Sequence, residues 1–556
     1  MLTRLSGARI VDPAHGTQQD VRDLYVRDGR MVDRPRDGER IDRTWDAAGT
    51  IVMAGAIDLH THIGGGKVNI ARGLLPELGR QHSLAATDVC GACTIGPAPS
   101  TLATGYRYAA MGYTACFEPA MLPVNARQAH MEMGDTPIVD KGAYAMLGND
   151  DFLLRLLADG ANRAEIRDYV AWTLHATQAI GIKVVNAGGI SAFKFNQRSL
   201  DVDEAHVHYG ITPRTILREL ARAVHDLGVP HPLHVHSSNL GVPGNVDSTL
   251  ATIDAAEGLP IHLTHLQFHS YGTEGDRKFS SAAARIAEKV NASPNVSVDV
   301  GQILFGQTVT ASGDSMLQCR NSRHGRPPKW VVMDIECDAG CGVVPFRYRD
   351  RDFVNALQWA IGLELFLMIR DPWRVFLTTD HPNGGPFTSY PHLIKLLMDR
   401  SFRNGVLASI NPEAAAMSAL GSLEREYSLH EIAIMTRAAP ARILGLEDQG
   451  HLGPGAAANI VVYEPHPDPE VMFATPRWVF KDGELVAERG EVKTVICGAI
   501  HTVKPDFDRG IERKLKGWFE QHHTQSLSSF KIDDEEVCEC GRAPRLAVHA
   551  CRARTA

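Results

Sequence analysis

Short apolar runs alternate with amphipathic segments through most of the chain, and this pattern predicts the main fold. Eight of the runs have the length and composition of buried strands, and most follow a segment whose apolar residues recur at helical spacing. The predicted strands lie at residues 56–60, 113–119, 142–148, 181–186, 232–236, 261–266, 296–300 and 375–380. Repeated strand and helix units indicate an α/β protein with a (β/α)8 TIM-type barrel.

The clearest predicted helix precedes the fifth strand. Thr212 can cap its start, Pro213 suits its first turn, and Gly228 ends it. Leu220 and Val224 belong to its apolar side, because residues four apart in a helix share one face. A helix at this point supports the repeated strand and helix organisation of the barrel.

Strand patterns of a different kind occupy both ends of the chain. At the start, residues 8–12 and 23–32 form apolar runs separated by Asp and Gly turn signals. Near the end, residues 458–463 and 478–486 repeat this pattern, and the second run folds over an Asp-Gly turn. We expect the two ends to share one small β-sandwich-like domain beside the barrel.

These patterns divide the chain into four expected parts. We expect residues 1–54 and 441–502 to form the small β domain, 55–440 to form the barrel with an insertion at about 306–350, and 503–556 to form a C-terminal extension.

Charge and hydropathy then narrow the class of protein. The chain has 57 Lys and Arg against 65 Asp and Glu, a formal net charge of -8, which argues against nucleic acid as a partner. The most apolar stretch, 357–369, contains Glu364 and is too short to span a bilayer. The first residues lack the apolar core of a secretory signal. We expect a cytoplasmic protein that binds neither nucleic acid nor membrane.

Histidines and one aspartate stand at the ends of the predicted barrel strands. The carboxyl ends of barrel strands meet on one face, so side chains far apart in sequence become neighbours there. Side chains alternate along a strand, so His60 and His62 at the end of the first strand point the same way and could share one metal ion. Asp380 follows the eighth strand and could supply a carboxylate.

Strands five and six each carry two histidines, of which one is expected at the mouth of the barrel. His236 and His265 lie nearer the strand ends than His234 and His262. We expect the inner two to be buried and bonded to the backbone. The outer imidazoles, together with the first-strand pair and a carboxylate, predict a compact divalent metal site that suits a hydrolase.

Several motifs resemble those of the amidohydrolase superfamily. Residues 55–62 read Gly-Ala-Ile-Asp-Leu-His-Thr-His, Thr379 precedes the eighth-strand aspartate, and residues 453–461 read Gly-Pro-Gly-Ala-Ala-Ala-Asn-Ile-Val. Longer motifs at 64–69, 183–186, 236–245 and 264–272 resemble the family of formylmethanofuran dehydrogenase A subunits. The similarity is strongest to its bacterial branch, the A subunits of formyltransferase/hydrolase complexes, and covers most of the chain.

The resemblance implies a binuclear centre with two divalent metal ions, expected to be zinc. The implied ligands are His60, His62, Lys183, His236, His265 and Asp380, with Lys183 carboxylated as the bridging ligand and Asp380 also acting as the catalytic base and acid. Lys194 is the alternative lysine, since its segment resembles that of cyclic-amide hydrolases. Ala187 stands where a proline is expected, which is the departure from the lysine motif.

The resemblance also implies a substrate and partners. The substrate would be N-formyl-methanofuran or its bacterial analogue methofuran, hydrolysed to formate and the free amine. The partners would be the other subunits of a complex, including a formyltransferase. Two alternatives stay open, namely a cyclic-amide hydrolase related to dihydroorotases and hydantoinases, and a non-catalytic scaffold protein with the same fold.

Overall fold

The computed structural model describes residues 1–78, 100–197, 200–310, 343–537 and 545–552. In these ranges one large hydrophobic core surrounds the barrel and a second, smaller core lies in the sheet built from the chain ends. Among the described residues, no helix combines the length and the apolar character that crossing a bilayer requires.

Eight parallel strands form the barrel, and each predicted strand is found. The strands are Ala56–Asp58, Tyr113–Met121, Asp140–Leu147, Gly181–Val185, Leu233–His236, Ile261–Leu263, Val296–Asp299 and Val375–Phe376. Each pairs in parallel with the next along the chain. A parallel bridge between Thr61 and His381 joins the first strand to the eighth, and the His62 amide donates to the His381 carbonyl at 2.9 Å. The predicted barrel is therefore confirmed.

Helices accompany the strands as predicted. The helices up to the eighth strand are Gly66–Arg72, Thr101–Ala110, Ala126–Gly134, Asp151–Ala158, Arg163–Thr177, Gly189–Lys194, Pro213–Asp226, Val246–Ala255, Ala283–Ala292 and Phe353–Met368. The helices beyond it are Tyr390–Met398, Arg400–Ser409, Pro412–Met417, Leu429–Ala433, Ala439–Leu444, Pro469–Ala474, Ile511–His522 and Leu527–Phe530. The hydroxyl of Thr212 accepts from the Thr215 amide at 3.3 Å, which confirms the predicted cap.

Strands from both chain ends form a single nine-stranded sheet, which confirms the shared small β domain. Its strands are Leu2–Asp12, Thr17–Arg27, Arg30–Val32, Arg43–Asp46, Ile51–Ala54, Ile460–Tyr463, Trp478–Lys481, Glu484–Glu488 and Glu491–Val492. The two ends meet where Ile51–Ala54 pairs antiparallel with Ile460–Tyr463. Ile51–Ala54 runs almost directly into the first barrel strand, so the sheet anchors the strand that carries His60 and His62.

The barrel sheet gains two further strands from the end of the chain. Ile500–Val503 lies beside the start of the third barrel strand, and Leu546–His549 pairs with Ile500–Val503 in parallel. The predicted boundary at residue 502 falls inside the first of these strands, and the division of the chain into four parts stays a prediction.

The predicted insertion begins and ends in a two-stranded ribbon. Gly306–Thr310 pairs antiparallel with Val344–Tyr348, and residues 311–342 lie outside the described part of the chain. A second short ribbon, Tyr271–Gly272 with Ser280–Ser281, follows the sixth barrel strand.

Candidate metal centre

Five of the six side chains predicted as metal ligands lie at the mouth of the barrel, and the sixth, Lys183, lies within the fourth strand. The five come from the ends of strands one, five, six and eight, and none of the six is more than 5% exposed. These residues are His60, His62, Lys183, His236, His265 and Asp380. The carboxyl ends of barrel strands converge on one face, which explains how residues 320 positions apart come into contact.

His60, His62 and Asp380 form one group of potential ligands. The Nε2 atoms of His60 and His62 lie 2.9 and 3.4 Å from Asp380 Oδ1. The Nδ2 of Asn383 donates to the other carboxylate oxygen, Oδ2, at 2.9 Å. Burial alone would raise the pKa of Asp380, but the imidazoles of His265 and His60 bring it well below its usual range. Asp380 is therefore a carboxylate at neutral pH, as a metal ligand must be.

His236, His265 and His269 form a second group of potential ligands. Their potential ligand atoms all lie within 4.8 Å of one another, and all three rings are buried. Burial lowers the pKa of each ring, to about 3 for His269, so all three are neutral imidazoles. The Nδ1 of His265 has no hydrogen-bond partner among the described residues. Three neutral imidazoles with a free nitrogen fit a divalent cation.

His269 was absent from the predicted ligand set. A short 3-10 turn, Leu266–His269, follows the sixth strand and returns the chain toward the mouth. The turn starts at His265, whose φ of 35° lies in the left-handed region. The spacing of four residues between the two histidines was the available signal in the sequence.

Glu118 bonds the ring nitrogen of His62 that faces away from Asp380. Its Oε1 lies 3.1 Å from His62 Nδ1, and its Oε2 accepts from the amides of Ile63 and Gly64 at 2.7 and 3.1 Å. Burial would raise the pKa of Glu118, but the neighbouring His62 and the amides lower it. Glu118 therefore holds His62 with Nε2 toward Asp380. A carboxylate inside an apolar predicted strand was the signal that sequence reasoning missed.

Lys183 lies in the fourth strand, beside His234 in the fifth. It is 2% exposed, and its positive charge contributes to the lowered pKa of both His236 and His265. Lys194 is exposed at the end of helix Gly189–Lys194. Because a bridging lysine must reach buried ligands, the placement of the two lysines favours Lys183.

A second polar layer lies beneath the mouth. His234 Nε2 lies 2.9 Å from His60 Nδ1, and His231 Nε2 lies 2.9 Å from His234 Nδ1. His262 Nε2 lies 3.1 Å from Asp299 Oδ2. His234 and His262 are buried as expected, but the expectation of backbone partners is wrong, because their ring nitrogens contact side chains. Burial lowers the pKa of His231 and His234 well below 6.5, so both are neutral.

A cavity of about 160 Å³ adjoins the first group of ligands. The side chains of His62 and Glu118 contribute to its wall, together with the glycines at 64–66 and the apolar Met121 and Leu122. The cavity offers room for a small acyl group beside His62 and Glu118.

Comparison with known proteins extends these observations. A model of the amidohydrolase family matches residues 43–487. The chain is 44% identical over 540 residues to the A subunit of formyltransferase/hydrolase complex Fhc from Methylorubrum extorquens, which covers 96% of this chain and 97% of that protein. It is 38% identical over 549 residues to protein FwdA of Methanocaldococcus jannaschii, covering 95% and 96% of the two chains.

A solved structure shares the whole fold. The X-ray structure of the formyltransferase/hydrolase complex FhcABCD from Methylorubrum extorquens, in complex with methylofuran, contains a chain with a TM-score of 0.91 and 42% sequence identity to this one. The match covers 100% of both chains.

Proposed function

The chain belongs to the amidohydrolase family, and from this premise we propose that it hydrolyses N-formyl-methylofuran, or the related formyl-methanofuran, to formate and the free amine. One observation carries the proposal. The relative that matches this chain over its full length was crystallised in a formyltransferase/hydrolase complex with methylofuran, and this chain has two buried groups of potential ligands at the mouth of the same fold. A metal centre of this kind is suited to cleave the C–N bond of a formamide.

We propose that His60, His62 and Asp380 hold one divalent ion and that His236 and His265 hold a second. Lys183, carboxylated on its amine, would bridge them. Imidazole and carboxylate ligands suit zinc, which we propose as the metal. Bound there, the two ions would lower the pKa of a water toward about 7 and polarise the formyl oxygen.

The protein's own residues would move the proton. Asp380 Oδ1 faces the imidazoles and, as a carboxylate, would accept a proton from the attacking water. The new bond joins the water oxygen to the formyl carbon, and the bond that breaks joins this carbon to the amine nitrogen. Asp380 would then deliver its proton to that nitrogen, so that the neutral amine and formic acid leave, and the formic acid loses its hydroxyl proton to solvent to become formate. Asn383, bonded to Oδ2, would keep Oδ1 turned toward the reaction.

We propose that the protein works as the hydrolase component of a cytoplasmic formyltransferase/hydrolase complex in one-carbon metabolism. The support is the identity of 44% with the A subunit of such a complex over nearly the whole of both chains. The formyltransferase component would supply the formylated cofactor that this chain hydrolyses.

Formate release tests the proposal. The purified complex, supplied with zinc, should release formate from N-formyl-methylofuran, and the Lys183→Ala complex should not. Opening of dihydroorotate or hydantoin without formamide hydrolysis would instead support a cyclic-amide hydrolase. Failure of the zinc-supplied chain to retain any divalent ion would support a non-catalytic scaffold.

A further inference from the structure

We propose that His234 and His231 are positioning residues that fix the tautomer and the orientation of His60. The inference rests on the proposed function only in taking His60 as a metal ligand. The two residues belong to a column of three imidazoles, His60, His234 and His231, which descends from the mouth into the barrel.

The column is continuous and enclosed. His60 Nδ1 lies 2.9 Å from His234 Nε2, and His234 Nδ1 lies 2.9 Å from His231 Nε2. All three residues are 0% exposed. The ring of Tyr144 stacks on both His231 and His234, with centroids 4.7 and 4.8 Å away, and the Tyr144 hydroxyl donates to the Leu59 carbonyl at 2.8 Å. The column is therefore held against the strand that carries His60.

Hydrogen bonding gives the column a direction. His60 turns Nε2 toward Asp380, so a metal ion held there leaves the His60 proton on Nδ1. That proton is donated to His234 Nε2, which requires His234 to carry its own proton on Nδ1. His234 then donates to His231 Nε2. A metal at one end thus selects the tautomer of all three rings, and the column in turn favours the metal-binding form of His60.

Two other groups approach His60 Nδ1, and one of them acts in the same sense as His234. Asp299 Oδ2 lies 3.3 Å from His60 Nδ1 and 3.1 Å from His262 Nε2, and because a carboxylate can only accept, it also favours a proton on Nδ1. The Thr264 hydroxyl contacts the same nitrogen, but it can rotate to serve as donor or acceptor and so selects no tautomer. Of these groups, His234 lies closer to Nδ1 than Asp299 does, and it continues the hydrogen-bonded column to His231.

The composition of this layer supports a functional role. Side chains that fill the interior of such barrels are mostly Val, Ile and Leu. Buried imidazoles lower stability unless each is hydrogen-bonded. A hydrogen-bonded column of imidazoles leads to a proposed metal ligand. Its presence is therefore better explained by a role in positioning that ligand than by a role in packing the core. Outer partners of metal-binding histidines typically contribute 10- to 100-fold to metal affinity.

Zinc affinity, measured by competition with a chromophoric chelator, tests the inference without using turnover. His234→Leu should weaken zinc binding about 10- to 100-fold. His234→Gln should recover much of this loss, because its amide oxygen can accept from His60 Nδ1. Thr264→Val removes the competing hydroxyl and should leave the affinity nearly unchanged. His130→Leu is the matched control, since His130 is buried and bonded to the Thr177 carbonyl on the outer helix Ala126–Gly134.

Nitrogen-15 spectra of the histidine rings provide the second readout. In the zinc-loaded protein, His234 and His231 should both show the Nδ1-protonated form, and His231→Leu should disturb the His234 signal even if His234→Leu fails to fold. Wild-type zinc affinity in folded His234→Leu, or a larger loss in Thr264→Val, would overturn the inference while leaving the proposed function intact. Absence of zinc binding by the wild-type protein would instead overturn the proposed function.

Discussion

Replacing Asp380 by Asn removes a negative charge from the centre with almost no change in shape. Asp380 is 1% exposed, and its Oδ1 lies 2.9 Å from His60 Nε2 and 3.4 Å from His62 Nε2. Asn383 can still bond the remaining amide oxygen. The variant should therefore fold, bind metal less tightly and lose its proton acceptor.

The expected loss of rate follows from the role of Asp380 as a base. A positioned base typically contributes 10²- to 10⁴-fold to a rate, which corresponds to about 3 to 5 kcal/mol of barrier at 1.36 kcal/mol for each factor of ten. We expect kcat to fall by this factor when excess zinc compensates for weaker binding. A fall in rate that is caused only by weaker zinc binding should disappear as the zinc concentration is raised.

Measuring formate release at increasing zinc concentration separates the effect of weaker zinc binding from the effect of losing the base. Asp58→Asn is the matched control, because Asp58 is also a fully buried barrel aspartate. Burial raises its pKa to about 7, so at neutral pH it is about half ionised and its replacement removes less charge than the replacement of Asp380. A kcat for Asp380→Asn within tenfold of the wild type at saturating zinc would refute the role of Asp380 as base.

Three further changes test other parts of the structure. Glu118→Gln should weaken zinc binding about 10- to 100-fold through His62, which chelator competition measures; unchanged affinity would contradict the support role of Glu118. Gly301→Ala should impair the second group of ligands, because Gly301 has a φ of +64° and an added Cβ would lie 2.4 Å from His265 Cβ; full zinc stoichiometry in a crystal with His265 unmoved would refute this. Burial and the neighbouring His501 lower the pKa of His549 from 6.5 to about 4. The unfolded chain therefore takes up this proton first, and the stabilising contribution of neutral His549, present above pH 6.5, should decline as pH falls from 6.5 toward 4. His549→Asn should flatten the pH dependence of the thermal midpoint in this range, and an identical pH profile would count against it.

The barrel and the positions of the four histidines and Asp380 could be predicted because both depend on local patterns, whereas Lys183 was implied only by the family resemblance. Buried strands appear as apolar runs, and residues at their carboxyl ends must converge once the barrel closes. Alternation along a strand placed His60 and His62 together, and nearness to the strand end separated His236 from His234.

The remaining features depend on contacts that no local pattern specifies. His269 reaches the centre only through a turn that starts at a left-handed residue, and Glu118 turns toward His62 from within the second strand. His231 lies before its strand, so its bond to His234 appears only in the folded barrel. Strand Ile500–Val503 joins the barrel sheet by pairing beside residue 141, more than 350 positions away.

The electron density around Lys183, recorded with anomalous diffraction at the zinc edge, tests the central claim most directly. We expect an additional carboxyl group on the Lys183 amine, flanked by two anomalous peaks, one near His60, His62 and Asp380 and the other near His236 and His265. An unmodified Lys183 with one peak or none, in protein prepared with zinc and bicarbonate, would contradict the proposed binuclear centre.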